Sequence, residues 1–123
     1  MVLAKKIVAK IFAFFVVTKI KRTYKNAVQI QTQILNDLIR KAKKTKFGID
    51  HKFDKINNVD EYSLNVPVRD YEAIIKYINE IKNGHKDVLW PGKPKYLAKT
   101  SGTTSGAKYI PITKESMPHH ILS

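Results

Sequence analysis

The sequence predicts an α/β chain, with helices through its N-terminal part followed by a β-hairpin. Three observations carry this. Apolar residues recur at helical spacing as far as Ile81. Two strand-like runs, Lys95–Lys99 and Lys108–Ile112, flank a loop of small hydroxylated residues and glycines, and Trp90-Pro91-Gly92-Lys93-Pro94 supplies a rigid turn between the two regimes. Over 1–123 the reading is a basic helical segment at 1–46, a mixed segment with one clear helix at 47–94, and a hairpin with the start of another helix at 95–123.

The first helix occupies the opening residues. Lys5-Lys6 ahead of Ile7 to Val17 has the outline of a secretory leader, but Lys10 interrupts the apolar run and no small-x-small cleavage site follows. Thr18-Lys19-Ile20-Lys21-Arg22 instead continues as a basic helix. The unbroken apolar stretch Ile11–Val17 is far short of the roughly 20 residues that span a bilayer. The expectation is a buried helix without a transmembrane segment, with attachment to a membrane surface as the lesser alternative. A second helix runs from about Asn26 to Lys44, where Ile34, Leu35, Leu38, Ile39 and Ala42 share helical spacing. Gly48 is expected to end it as a left-handed terminator.

Between Phe47 and Asn65 the pattern is mixed, with short helical potential around Val59 to Leu64. The third helix is well signalled. Asp70 is its N-cap, Tyr71, Ile74, Ile75, Ile78 and Ile81 form one apolar stripe, and Asn83-Gly84 stops it. Tyr71 and Tyr77 lie on or beside that stripe, so a core role is expected of them.

The loop between the strand-like runs carries the most chemistry. Thr100-Ser101-Gly102-Thr103-Thr104-Ser105-Gly106-Ala107-Lys108 combines hydroxyl donors, two glycines and a cation. Glycine removes the side chain that would hold a backbone away from a ligand, so successive N–H groups can converge on an anion. A nucleotide polyphosphate fits this composition; a polar hairpin turn is the plainer reading of the same residues. A Walker-type P-loop is excluded, because counting from Gly102 its second glycine falls on Ala107, and the residue after Lys108 is Tyr109 rather than Ser or Thr. Pro111 in the second run suits an edge strand.

The net charge of +13 is unevenly placed: residues 1–46 carry 12 basic and 1 acidic side chains, and residues 47–123 carry 11 and 9. Basic residues interleaved with apolar ones at helical spacing read as a solvated helix face, with a small basic protein that binds nucleic acid or a membrane surface as the alternative function; no specific nucleic-acid partner is expected. Contact with an anionic surface would be non-specific. Cysteine is absent, which removes disulfides, thiolate catalysis and Cys-based zinc sites, and makes the cytoplasm the default location. The histidines lack metal-ligand spacing: His119 and His120 are adjacent, and His51 and His85 have no i, i+4 partner. No metal site is expected from them.

Five blocks occur in order along the chain: Thr45-Lys46-Phe47-Gly48; Val66-Pro67-Val68-Arg69-Asp70-Tyr71-Glu72; Val88-Leu89-Trp90-Pro91; Thr100-Ser101-Gly102-Thr103-Thr104; and Tyr109-Ile110-Pro111-Ile112-Thr113-Lys114-Glu115-Ser116. Together they resemble the Gretchen Hagen family of auxin-responsive acid-amido synthetases, in the form found in bacteria. That family is a branch of the adenylate-forming enzymes. The resemblance implies an ATP-dependent ligase in which a carboxylic acid forms an acyl-adenylate and an amine then displaces AMP. It further implies that Thr100, Ser101, Gly102, Thr103 and Thr104, with Ser105, Gly106 and Lys108, bind the nucleotide phosphates; plant members have a slightly longer run before the lysine. Magnesium is implied with ATP by the family alone. On the same basis the chain corresponds to the N-terminal portion of the large domain. It holds no catalytic residue of its own, and is expected to be inactive by itself.

Overall fold

The computed structural model describes residues 2–100 and 106–122. Two helices come first, α1 (Val2–Lys25) and α2 (Ala27–Ala42), then α3 (Lys46–Asp50), a 3-10 turn at Phe53–Lys55, α4 (Val59–Asn65) and α5 (Tyr71–Lys82). A hairpin of β1 (Tyr96–Thr100) and β2 (Lys108–Ile112) leads to the short α6 (Met117–Leu122). The chain is thus helix-rich with one antiparallel two-stranded sheet. It divides into two units, Met1–Leu35 and Asn36–Ser123.

The first unit holds α1 and the opening turns of α2. No glycine or proline interrupts α1, and Arg22 and Lys25 in its last turn face the negative end of the helix dipole. The expectation that this helix is buried is not met: Phe12, Phe14 and Phe15 are 69%, 69% and 66% exposed. Consecutive apolar residues from Ile11 to Val17 place hydrocarbon all round the axis. Such a helix is covered only where several elements surround it, and this unit contains one further helical segment. No helix among the described residues is long and apolar enough to cross a membrane.

The core of the second unit lies between α5, α3 and the segment after α5. Tyr77, Ile81 and Val88 are buried together, and Phe47, Ile74, Leu89 and Leu97 pack against them. Phe47 is central, its ring centroid 5.2 Å from that of Tyr77, 5.9 Å from Phe53 and 4.3 Å from the imidazole of His51. As its stripe predicts, α5 buries Ile78 and Ile81, and Asp70 caps it by accepting from the Ala73 N–H at 3.0 Å. Gly84, at φ 87°, follows its C-terminus.

Gly48 is a correction. It does not terminate α2, which already ends at Ala42; it lies inside α3, where a Cβ would collide with the Ala42 carbonyl oxygen. The glycine is needed for close approach of two helices, not for a positive φ. Thr45 makes the junction: its hydroxyl donates to the Ala42 carbonyl at 2.7 Å and accepts from the Gly48 N–H at 3.0 Å, capping α3. The next two amides of α3 donate outside the helix, Lys46 to the Asp87 carbonyl at 2.8 Å and Phe47 to the Val88 carbonyl at 2.9 Å. Asp87 is held for this at φ 58°, with its N–H on the Gly92 carbonyl at 3.0 Å and its carboxylate on the Gly92 N–H at 2.7 Å. The predicted rigid turn around Pro91 thus adjoins a loop closed between Asp87 and Gly92, and the Asp87 and Val88 carbonyls ahead of the turn cap α3.

Candidate nucleotide-loop site

The site begins at the hairpin stem. β1 and β2 pair antiparallel in the register Tyr96↔Ile112, Leu97↔Pro111, Ala98↔Ile110, Lys99↔Tyr109 and Thr100↔Lys108. The first strand is shifted by one residue from the run read in the sequence. Thr100 and Lys108, the two ends of the predicted loop, thus face one another, and the Thr100 hydroxyl donates to the Lys108 carbonyl at a long 3.5 Å. Gly106 has φ 84° with open space where a Cβ would stand, so its backbone is accessible. Ser101, Gly102, Thr103, Thr104 and Ser105 lie outside the described residues.

The stem is attached to α5 at its loop end. The Tyr109 N–H donates to the Tyr71 hydroxyl at 2.8 Å, and the Lys108 ammonium lies 5.6 Å from the centroid of the Tyr71 ring. Lys82, in the last turn of α5, places its ammonium 4.5 Å from the Tyr109 ring. A two-stranded hairpin alone is marginally stable in water, so these contacts supply much of what fixes it. Sequence reasoning assigned Tyr71 to the apolar stripe and missed this role; its place directly after the Asp70 cap was the only local signal.

Helix α5 is anchored in turn. The Tyr77 hydroxyl donates to the Asp50 carboxylate at 2.8 Å, and Lys46 stands 3.5 Å from the same carboxylate. The hydrogen bond from Tyr77, with Lys46 adding, holds the Asp50 carboxyl below the usual carboxylate range. Burial first, and then the Asp50 carboxylate, pushes the Tyr77 phenol up to about 12. These contacts join α5 to α3, so they serve the scaffold. On the far side, Lys41 of α2 pairs with Glu115 at 3.0 Å and sits 6.0 Å from the Trp90 ring, which ties the residues after β2 to α2.

Two open clefts are present elsewhere in this unit. One of about 340 Å³ is lined by α2 residues including Arg40 and Lys43 with Phe53 and Ile56 opposite, and includes no hairpin residue. Another of about 240 Å³ lies at the Tyr96 end of the stem, opposite in sequence to the loop. Among the described residues no group of three or more His, Asp or Glu is placed to hold a metal ion.

Residues 16–122 match the model of the GH3 family N-terminal domain. The chain belongs to the GH3 family. It is 34% identical over 101 residues to indole-3-acetic acid-amido synthetase GH3.15 of Arabidopsis thaliana, and 29% identical over 99 residues to indole-3-acetic acid-amido synthetase GH3.5 of the same plant. These alignments cover 78% and 79% of this chain, and it spans 16% of the length of each relative. No solved structure matches it significantly. The whole hairpin stem, with Tyr71 and both loop ends, falls inside the matched GH3 region.

Proposed function

We propose that this GH3 chain supplies the phosphate-binding loop of an ATP-dependent acid-amido synthetase, within an adenylate-forming large domain. The observation that carries the reading is the stem: Thr100 and Lys108 stand opposite each other inside the GH3-matched region, and close a glycine- and hydroxyl-rich loop whose Gly106 backbone is open to approach. In the proposed reaction a carboxylate oxygen attacks the α-phosphorus of ATP, the bond to pyrophosphate breaks, and acyl-AMP forms. An amine then attacks the acyl carbon and AMP leaves. The names of the relatives point to an indole acid as one substrate of their kind.

Thr100, Ser101, Gly102, Thr103, Thr104, Ser105 and Gly106 are assigned to the phosphates through backbone N–H groups and hydroxyls. Lys108 is assigned as the cation at the foot of the loop. Donors aimed where charge develops are worth about 3–4 kcal/mol each at a dry site. One loop cannot by itself hold carboxylate and phosphate in line at about 3–3.5 Å, so the 123-residue chain made alone is assigned no synthetase activity.

The test is ATP–pyrophosphate exchange over a panel of aryl and aliphatic acids, using a full-length GH3 protein built to carry this hairpin. Gly102→Val blocks backbone approach and Thr103→Val deletes a donor; each should lower acid-dependent exchange by about 100-fold or more. Normal exchange in both variants would remove the loop from the phosphate site.

A further inference from the structure

We infer that Tyr71 is a positioning residue of the nucleotide loop, fixing Lys108 and Tyr109, and with them the C-terminal stem of the loop, against the first turn of α5. The inference deepens the phosphate-loop reading and rests on it. Three contacts converge. The Tyr71 hydroxyl accepts the Tyr109 N–H at 2.8 Å, the Tyr71 ring lies under the Lys108 ammonium at 5.6 Å, and the neighbouring Asp70 caps α5 through the Ala73 N–H at 3.0 Å. The backbone that carries Tyr71 is therefore itself held.

The physical need is plain. A lysine on a loop is a hydrated point charge on a flexible stem, and its usefulness to a phosphate depends on how narrowly its ammonium is placed. An aromatic face beneath a cation restricts it at little cost in solvation. The next residue's amide, bonded to the hydroxyl of the same tyrosine, fixes the strand from which the lysine projects. Ring and hydroxyl thus act on adjacent residues, and the two are separable: Tyr71→Phe removes the hydroxyl alone, and Tyr71→Leu removes both.

The full-length GH3 protein that carries this hairpin serves for the experiment, with ATP and inorganic pyrophosphate as probes in equilibrium dialysis and with amide hydrogen exchange read at Tyr109 and Ile78. Tyr71→Phe should speed exchange at Tyr109 by about threefold to tenfold, the effect of one neutral hydrogen bond, leave Ile78 unchanged, and weaken ATP by a similar factor. Lys108→Ala should weaken ATP as well. Tyr71→Leu should cost less in the Lys108→Ala background than alone, because the ring then has no cation to place.

Unchanged exchange at Tyr109 in Tyr71→Phe overturns the inference at its anchor, and equal acceleration at Ile78 overturns it as a general loss of stability. Faster exchange at Tyr109 with ATP affinity intact, while Lys108→Ala still weakens ATP, makes Tyr71 a structural residue only and leaves the phosphate loop standing. Full additivity of Tyr71→Leu and Lys108→Ala overturns the link to the lysine. If Gly102→Val and Thr103→Val bind ATP and pyrophosphate as tightly as the unsubstituted protein, the phosphate-loop reading falls, and the positioning role with it, whatever exchange at Tyr109 reports.

Discussion

Tyr77 and Asp50, 27 residues apart, are joined by a 2.8 Å hydrogen bond from a fully buried phenol to a carboxylate at the end of α3. Burial, and then this contact, raises the Tyr77 phenol, while the contact lowers the Asp50 carboxyl, so the pair adds to stability between the two titrations.

The Tyr77 phenol is raised from 10.0 to about 12, so its neutral form is favoured in the fold. Its contribution is complete below pH 10 and is lost as pH rises from 10 towards 12. Asp50 lies below its ordinary 3.8, so its contribution is complete above that value and is lost as pH falls below it. Denaturant unfolding followed against pH should show both limbs. Tyr77→Phe should cost about 1 kcal/mol at neutral pH, flatten the alkaline limb and weaken the acid one. An unchanged alkaline limb in that variant would break the assignment.

Gly48→Ala should destabilise the chain by about 1–3 kcal/mol, because the new methyl group meets backbone rather than a side chain that could swing away. The midpoint of urea unfolding reads this directly. A change within about 0.5 kcal/mol, the scale of an inert surface substitution, would mean that α2 and α3 can separate freely.

Thr45→Val keeps the shape of the side chain and removes both of its hydrogen bonds, leaving the buried Gly48 N–H without its cap. The expected loss is about 1–2 kcal/mol. Thr45→Ser retains the hydroxyl and should lose much less; undiminished stability in Thr45→Val would show that the two hydrogen bonds add nothing net.

Exposed hydrocarbon on α1 should make the chain associate. Seven Lys and Arg side chains and no acidic one lie along the same helix, so repulsion opposes association at low salt. Near 1 M salt the screening length falls to about 3 Å, and sedimentation should report larger species there than in dilute buffer. Phe12→Glu with Phe15→Glu should return the chain towards monomer. Binding to DNA through the same cations would show the reverse salt dependence, and a monomer at both salt levels would show that α1 does not drive association.

Much of α5 was legible because its signals are local: an Asp cap, a stripe at helical spacing and an Asn-Gly stop all sit within fifteen or so residues, the scale of one helix. The strand pair was legible for the same reason. Gly48 misled because glycine has two uses, positive φ and close approach, and only the position of Ala42 decides between them. The exposure of Phe12 could not be read at all, since burial depends on what stands opposite a helix and not on its own period. Around the hairpin, the facing of Thr100 and Lys108 was legible from the two strand-like runs, whereas the contact from Tyr71 was not: its partner is 38 residues away, and a tyrosine in an apolar stripe reads as core.

The bond from Tyr109 to Tyr71 also bears on how the sheet can grow. Backbone groups alternate sides along a strand, so the amides of Tyr109 and Pro111 belong to the edge of β2 that faces away from β1, and proline has none to offer. Within Lys108–Ile112 that edge has a single N–H, and Tyr71 has taken it. An added strand would find no donor there, which blunts that edge as a template for pairing between chains and leaves extension of the sheet to β1.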